Sequence, residues 1–150
     1  MIKFEKVKEY KDVEDFIMPF RATASSAGYD IFNNTGKDII IKPHEALTIP
    51  TGLKAKMPDD MVLKIYPRSG HGFKYGMRLQ NTVGIIDADY YGNEKNEGHI
   101  FVKLHNPYYD KVVIQPGEAF AQGIFERYFL VEGDSYGQGN LRAGGIGSTT

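Results

Sequence analysis

The sequence runs to 150 residues, 41% hydrophobic and 25% charged, the balance of one globular domain with a sizeable core and not of a disordered or collagen-like chain. Eighteen Lys and Arg against 19 Asp and Glu give a net charge of −1, so no overall field draws a nucleic-acid backbone or an anionic membrane, and direct nucleic-acid binding is not expected. The lack of cysteine excludes disulfides, thiolate zinc sites and cysteine nucleophiles, and the longest apolar run, 128–131, falls far short of the ~20 residues of a membrane-spanning helix.

Along the chain, residues 1–6 mix charges from the start and show no apolar secretory core, which predicts a cytoplasmic protein. A single short helix is predicted over 11–16. Runs suited to strands follow at 39–41, 47–49, 53–57, 61–66, 82–86, 100–105, 112–114 and 120–129. In the third, Leu53, Ala55 and Met57 alternate with lysines, and in the sixth Ile100, Val102 and Leu104 alternate with Phe101, Lys103 and His105. Such period-two rows turn one apolar face inward. Turn signals separate them: Lys42-Pro43-His44-Glu45, Pro58-Asp59-Asp60 and Gln115-Pro116-Gly117. Many short strands between such turns predict an all-β fold, a jelly-roll-like barrel or sandwich. Two segments break the pattern. Residues 93–98, Asn93-Glu94-Lys95-Asn96-Glu97-Gly98, read as a polar hairpin tip or surface insert. Residues 133–150 carry six glycines and few apolar groups, which predicts a domain over 1–132 and a mobile tail after it.

Most familiar chemistries are excluded by spacing. His44, His71, His99 and His105 show no metal-ligand pattern. Ser69 and His71 lack a nucleophile elbow. The run Gly144-Gly145-Ile146-Gly147-Ser148-Thr149 has the composition of a phosphate cradle, but no lysine or helix follows, so it is neither a Walker loop nor a dinucleotide fingerprint. On composition alone it is a glycine tail. Gly84 to Gly92 sets Asp87 and Asp89 among apolar and aromatic residues, where a carboxylate needs hydrogen bonds or a function. Pro67-Arg68-Ser69-Gly70 offers a guanidinium and a hydroxyl at a turn, suited to a phosphate or carboxylate. Ala27-Gly28-Tyr29-Asp30 places an acid after a glycine turn.

Singly these are ordinary turns and hairpins. In this order they resemble the trimeric dUTPase family across nearly the whole chain, with Ala27–Ile31 similar to its first motif, Pro67–Gly70 to its second, Gly84–Gly92 to its third, Gly117-Glu118-Ala119-Phe120-Ala121-Gln122 to its fourth and 142–149 to its fifth. Three departures stand out. Ala119 replaces a usual arginine, Ile146 replaces a usual aromatic, and Arg142 sits nearer the double glycine than in the commonest pattern. The insert at 93–98 also follows the third motif where many members pass directly into the next strand.

The resemblance implies hydrolysis of dUTP to dUMP and pyrophosphate by water attacking the α-phosphorus, which limits uracil incorporation into DNA and supplies dUMP for dTMP synthesis. It implies Mg²⁺ on the triphosphate, Asp87 orienting and polarising the water, and Asp30 acting on the ion through its waters. Substrate contacts fall to Arg68, Ser69, Gly70, Asn81, Gly84, Ile86, Tyr90, Gln122, Arg142, Ile146, Gly147 and Ser148. Among them Ser69 and Gln122 are phosphate donors, and Arg68 either contacts phosphate or pairs with Asp89. The hairpin 81–87 reads the uracil edge, and Tyr90 packs on deoxyribose and excludes a 2′-OH. Different roles for Asp87 and Asp89 imply a bend between them, since in a straight strand both would share a face. A homotrimer with shared sites is implied. A deaminase of the same fold is the nearest alternative, but 81–87 holds no extra acid for it; a trimeric signalling module contacting a protein partner through 93–98 is another.

Overall fold

The computed structural model describes residues 1–135, 142, 144 and 145. In chain order it has β1 (Lys3–Lys6), a 3-10 turn (Lys8–Tyr10), β2 (Tyr29–Phe32), β3 (Ile39–Ile41), β4 (Ala46–Pro50), β5 (Leu53–Lys56), β6 (Met61–Pro67), α1 (Ser69–Tyr75), β7 (Arg78–Leu79), β8 (Gly84–Asp87), a second 3-10 turn (Ala88–Tyr90), β9 (Phe101–His105), β10 (Val112–Ile114) and β11 (Ala119–Arg127). Among the described residues every strand pairing is antiparallel. The pairs fall into sheets β2-β11-β6-β8, β4-β9-β7, β1-β5 and β10-β3. The all-β, jelly-roll-like class expected from the strand pattern is the class observed.

The alternating rows do what their period dictates. Leu53 and Ala55 of β5, Val102 and Leu104 of β9, and Ile39 and Ile41 of β3 point into one core with Leu63, Ile65, Ile114 and the fully buried Phe120. Burying such side chains contributes about 1.5–3 kcal/mol each. In β11, Gly123 leaves room for β6, since a Cβ there would lie 2.9 Å from Leu63 Cδ1.

Several boundaries differ from the sequence reading. The helix predicted over 11–16 does not form. Lys6 Nζ donates to the Val13 carbonyl at 2.9 Å and its charge sits 5.0 Å from the Phe16 ring, while the Ile17 N–H donates to Asn34 Oδ1 at 2.8 Å. Side chains thus take the backbone groups a helix would use, and a stretch with few apolar residues has no buried stripe to offset helix nucleation. Conversely, α1 forms over Ser69–Tyr75, where only Pro67–Gly70 was read, as a turn, and it does so despite Gly70 and Gly72, which disfavour helix. The strand predicted over 82–86 begins only at Gly84, because the chain turns first at Thr82, whose φ is 70°. The strand predicted over 120–129 is Ala119–Arg127, which leaves Phe129 exposed. β1, β2 and β7 were not predicted: β1 holds one apolar residue among charges, Asp30 interrupts β2, and β7 has only two residues.

Candidate functional site

Register along β6 decides where the candidate residues stand. Gln122 of β11 lies opposite Asp30 on one side and Tyr66 on the other, and Ala121 lies opposite Pro67. The second motif leaves the sheet immediately after Pro67 and enters α1 at Ser69. Asp30, Gln122, Arg68 and Ser69 therefore gather at one end of β6. Here the Arg68 guanidinium pairs with Asp30, and Gln122 Nε2 donates to the Pro67 carbonyl at 3.1 Å. Arg68 does not pair with Asp89, because β6 carries the two to opposite ends of the sheet. Gly28 has a steric reason: a Cβ at this position would stand 2.4 Å from Gln122 Oε1. His71 ties α1 to the turn before β11, with its Nε2 3.3 Å from Glu118 Oε1. Ser69 and Gly70 are exposed, and a shallow cleft of about 230 Å³ opens between Arg68, Ser69 and Phe73.

Asp87 stands at the other end. It faces Val62 across the β6–β8 ladder, and Val62 and Pro67 are five residues apart on β6, about 17 Å of strand. The chain then turns through Ala88–Tyr90. The bend expected between Asp87 and Asp89 is therefore present. It leaves Asp87 and Asp89 exposed and buries Tyr90. Both acids meet Arg142, whose Nη2 donates to Asp87 Oδ2 at 2.6 Å and whose Nε donates to Asp89 Oδ1 at 2.7 Å. The same guanidinium lies 6.0 Å from the Tyr90 ring centroid, a cation–π distance. Gly145 also abuts that ring, since a Cβ there would stand 2.6 Å from Tyr90 Cε2. Ile146, Gly147 and Ser148 lie outside the described residues, as does most of the predicted tail.

Asp87 lines a cleft of about 220 Å³ with Asp59, Ala88, Asp89, Tyr128 and Arg142, and the rest of β8 walls a separate cavity of about 360 Å³, formed by Asn81, Gly84, Ile85 and Ile86 of the hairpin and by Ile65, Leu79, Phe101 and Lys103. Its lining is mostly apolar with a few backbone and amide groups, the composition of a small-molecule pocket. Asn81, Gly84 and Ile86 come together here as the sequence reading expects.

The insert at 93–98 is not a free tip. Asn93 is buried and its Nδ2 donates to the Tyr90 carbonyl at 2.8 Å. Asn96 Nδ2 donates to the Tyr90 hydroxyl, also at 2.8 Å. Glu97 pairs with Lys54 at 3.2 Å. These contacts to Tyr90 were missed, although asparagines at turn positions are themselves a sign of side chains bonding to nearby backbone. Burial pushes the Tyr90 phenol above its ordinary value, against the opposing pull of the Asn96 donor and the Arg142 charge. His99, buried with its Nε2 accepting the Gly52 N–H at 2.9 Å, is held below the usual imidazole range by burial, partly offset by Glu9 and Glu97.

For a divalent cation the donors are sparse. The described residues bring no three acidic or histidine side chains together. The buried Asp30 carboxylate, paired with Arg68 beside a shallow cleft, suits Mg²⁺ that keeps its waters and arrives on a substrate's phosphates, not an ion in an all-protein cage.

Fold and site define a small β jelly-roll protein with an anion-suited cluster at one end of a strand, a paired-acid cluster at the other, and an apolar pocket walled by the strand that carries Asp87. Comparison with known proteins makes the class particular. The dUTPase family model matches residues 14–150. The deoxyuridine 5′-triphosphate nucleotidohydrolase of Lactococcus lactis is 43% identical over 97% of this chain and 95% of its own. The crystal structure of the Streptococcus mutans dUTPase superposes with a TM-score of 0.77 at 39% identity, covering 87% of this chain and 98% of that one. A phage phi11 dUTPase variant of Staphylococcus aureus, described as showing the coordination of a structural Mg(II) ion, shares the fold with a TM-score of 0.69 at 20% identity, over 88% of this chain and 94% of that one. The chain belongs to the dUTPase family.

Proposed function

We propose that this protein hydrolyses dUTP to dUMP and pyrophosphate, removing dUTP before it can enter DNA and supplying dUMP for dTMP synthesis. The observation that carries the reading is Asp87: an exposed carboxylate at the end of β8, the strand whose Gly84 and Ile86 wall an apolar pocket together with Asn81. Uracil enters that pocket, where main-chain donors and acceptors of the hairpin match its edge. Tyr90, buried behind Asp87, packs on the deoxyribose and leaves no space for a 2′-OH. Asp87 orients a water toward the α-phosphorus and draws its proton as the new P–O bond forms. The bond from that phosphorus to the bridging oxygen breaks, and pyrophosphate leaves. Such a displacement depends on positioning and charge neutralisation and needs no covalent intermediate.

Ser69, Gly70, Arg68 and Gln122 are the phosphate-side contacts, with Asp30 reaching Mg²⁺ through its waters. When bound, the ion neutralises charge on the phosphate oxygens. Because about 17 Å of β6 separates this group from Asp87 in one chain, a triphosphate held by both is best served by two copies. This favours a homotrimer with shared sites. Residues 133–150, with Arg142, Ile146, Gly147 and Ser148, form a tail that closes over the bound nucleotide and displaces water. Among the described residues no helix is long and apolar enough to cross a membrane.

The test is pyrophosphate release from each deoxynucleoside triphosphate with Mg²⁺ and with EDTA. Release from dUTP alone, lost in EDTA, is expected; equal release from dCTP or dTTP would overturn the reading. For the shared site, Asp87→Asn and Gln122→Ala subunits are mixed under exchange. Recovery of activity above either parent is expected, and none would place each complete site within one chain.

A further inference from the structure

The insert after the third motif reaches the Tyr90 side chain through Asn96. Asn93 builds a tight turn, its Oδ1 accepting the N–H groups of Lys95 at 3.1 Å and Asn96 at 3.2 Å. Its Nδ2 donates to Asn96 Oδ1 at 2.7 Å, which sets the orientation of the Asn96 amide. Gly98 closes the turn with φ at 89°, a conformation glycine adopts without strain, and no side chain would fit there, because a Cβ would stand 2.7 Å from the Tyr90 carbonyl oxygen. The Tyr90 hydroxyl donates to the His99 carbonyl at 2.6 Å and accepts from Asn96 Nδ2 at 2.8 Å. The phenol is therefore pinned at its far end from two sides, and moving the ring breaks both bonds.

We infer that Asn96 is a positioning residue for sugar selection, which holds the Tyr90 ring stiffly enough to reject a 2′-hydroxyl. The inference rests on the reading of Tyr90 as the wall against deoxyribose. A steric wall discriminates only as far as it refuses to yield, and a side chain is held to such tolerance by packing and by hydrogen bonds from residues behind it. Asn96 has no place in reading the base, so its effect is confined to the sugar.

The test compares kcat/KM for dUTP, UTP and dCTP in the Mg²⁺-loaded enzyme and in Asn96→Asp, Tyr90→Phe, their double variant and Tyr90→Ala, since specificity is a ratio of these values. Asn96→Asp keeps the Oδ1 acceptor used by Asn93 Nδ2 and by the Gly98 N–H. The loop therefore stays closed, while a carboxylate oxygen replaces the donor facing the phenol. The dUTP-to-UTP ratio is expected to fall about ten-fold in Asn96→Asp and comparably in Tyr90→Phe, with the double variant no worse than either. The dUTP-to-dCTP ratio is expected to stay within about two-fold. If Asn96→Asp keeps the wild-type sugar ratio while Tyr90→Ala loses it, the wall stands and the role of Asn96 is refuted. If Tyr90→Ala also keeps it, both readings fall. An equal loss toward all three nucleotides would make Asn96 merely structural and overturn the inference.

Discussion

Replacing Asp87 by Asn separates catalysis from stability in a way the geometry makes quantitative. The Asp87 side chain is 51% exposed and its partner Arg142 is 15% exposed. An ion pair open to water on one side contributes about 0–1 kcal/mol. Arg142 would keep its 2.7 Å bond to Asp89, and an amide oxygen at position 87 can still accept from the guanidinium. A loss of at most about 1 kcal/mol lowers the melting temperature of a chain this size by about 2–4 °C. Turnover, by contrast, is expected to fall about 100-fold or more, because the negative charge that draws the water's proton is gone. Steady-state pyrophosphate release and differential scanning calorimetry on the same preparation give both numbers. Near-normal turnover refutes the catalytic assignment; a large drop in melting temperature shows that the acid was holding the fold.

Gly28→Ala is expected to raise KM for dUTP with little change in melting temperature, because the new methyl displaces only the end of Gln122, 2.4 Å away; an unchanged KM in steady-state kinetics would detach Gln122 from the phosphates. Phe120→Ala is expected to cost about 3–5 kcal/mol, as the ring is fully buried in the shared core, and urea unfolding that gives under 1 kcal/mol would contradict that packing. His99 is neutral when folded and held below its ordinary value, so the unfolded chain takes up its proton first on acidification. Stability is then full above about pH 6.5 and falls below it, by up to about 1.4 kcal/mol per pH unit. The drop in melting temperature between pH 7.5 and 5 is therefore expected to be shallower in His99→Gln, and parallel profiles would refute the titration.

What could be read from the sequence was what had a period or a motif. Leu53 and Ala55 alternate with lysines and form β5; Ile100, Val102 and Leu104 line the core around β9. The bend after Asp87 was legible because the third motif places two acids two residues apart. Partners across the sheet were not legible. Arg68 could be seen as an anion ligand or an ion-pair former, but only register shows that Asp30, opposite Gln122 on β11, is the acid beside it. The same holds for Asn96, whose bond to Tyr90 depends on how a six-residue loop folds back. The 11–16 segment failed for the complementary reason: its local charges suit a helix, but contacts from Lys6 and Asn34, set by tertiary structure, claim its backbone first.

On the roles proposed for Asp87 and Tyr90, the bend also lets one short segment serve two opposed needs. A wall that rejects a hydroxyl has to be stiff, whereas an acid that handles water has to remain accessible. A strand continued through 87–90 would put Asp87 and Asp89 on one face and Ala88 and Tyr90 on the other, with no reason for one face to be wet and rigidly held at once. The 3-10 turn instead buries Tyr90 against the insert, where two hydrogen bonds hold its hydroxyl. Asp87 and Asp89 are left at the surface, joined to Arg142. The difference in exposure sets the difference in strength. The buried contacts resist exchange, because an unpaired polar group there costs about 1–3 kcal/mol. The exposed ion pairs, at about 0–1 kcal/mol each, are weak enough for a bound triphosphate to compete for the guanidinium, freeing Asp87 where the reading of this site requires it.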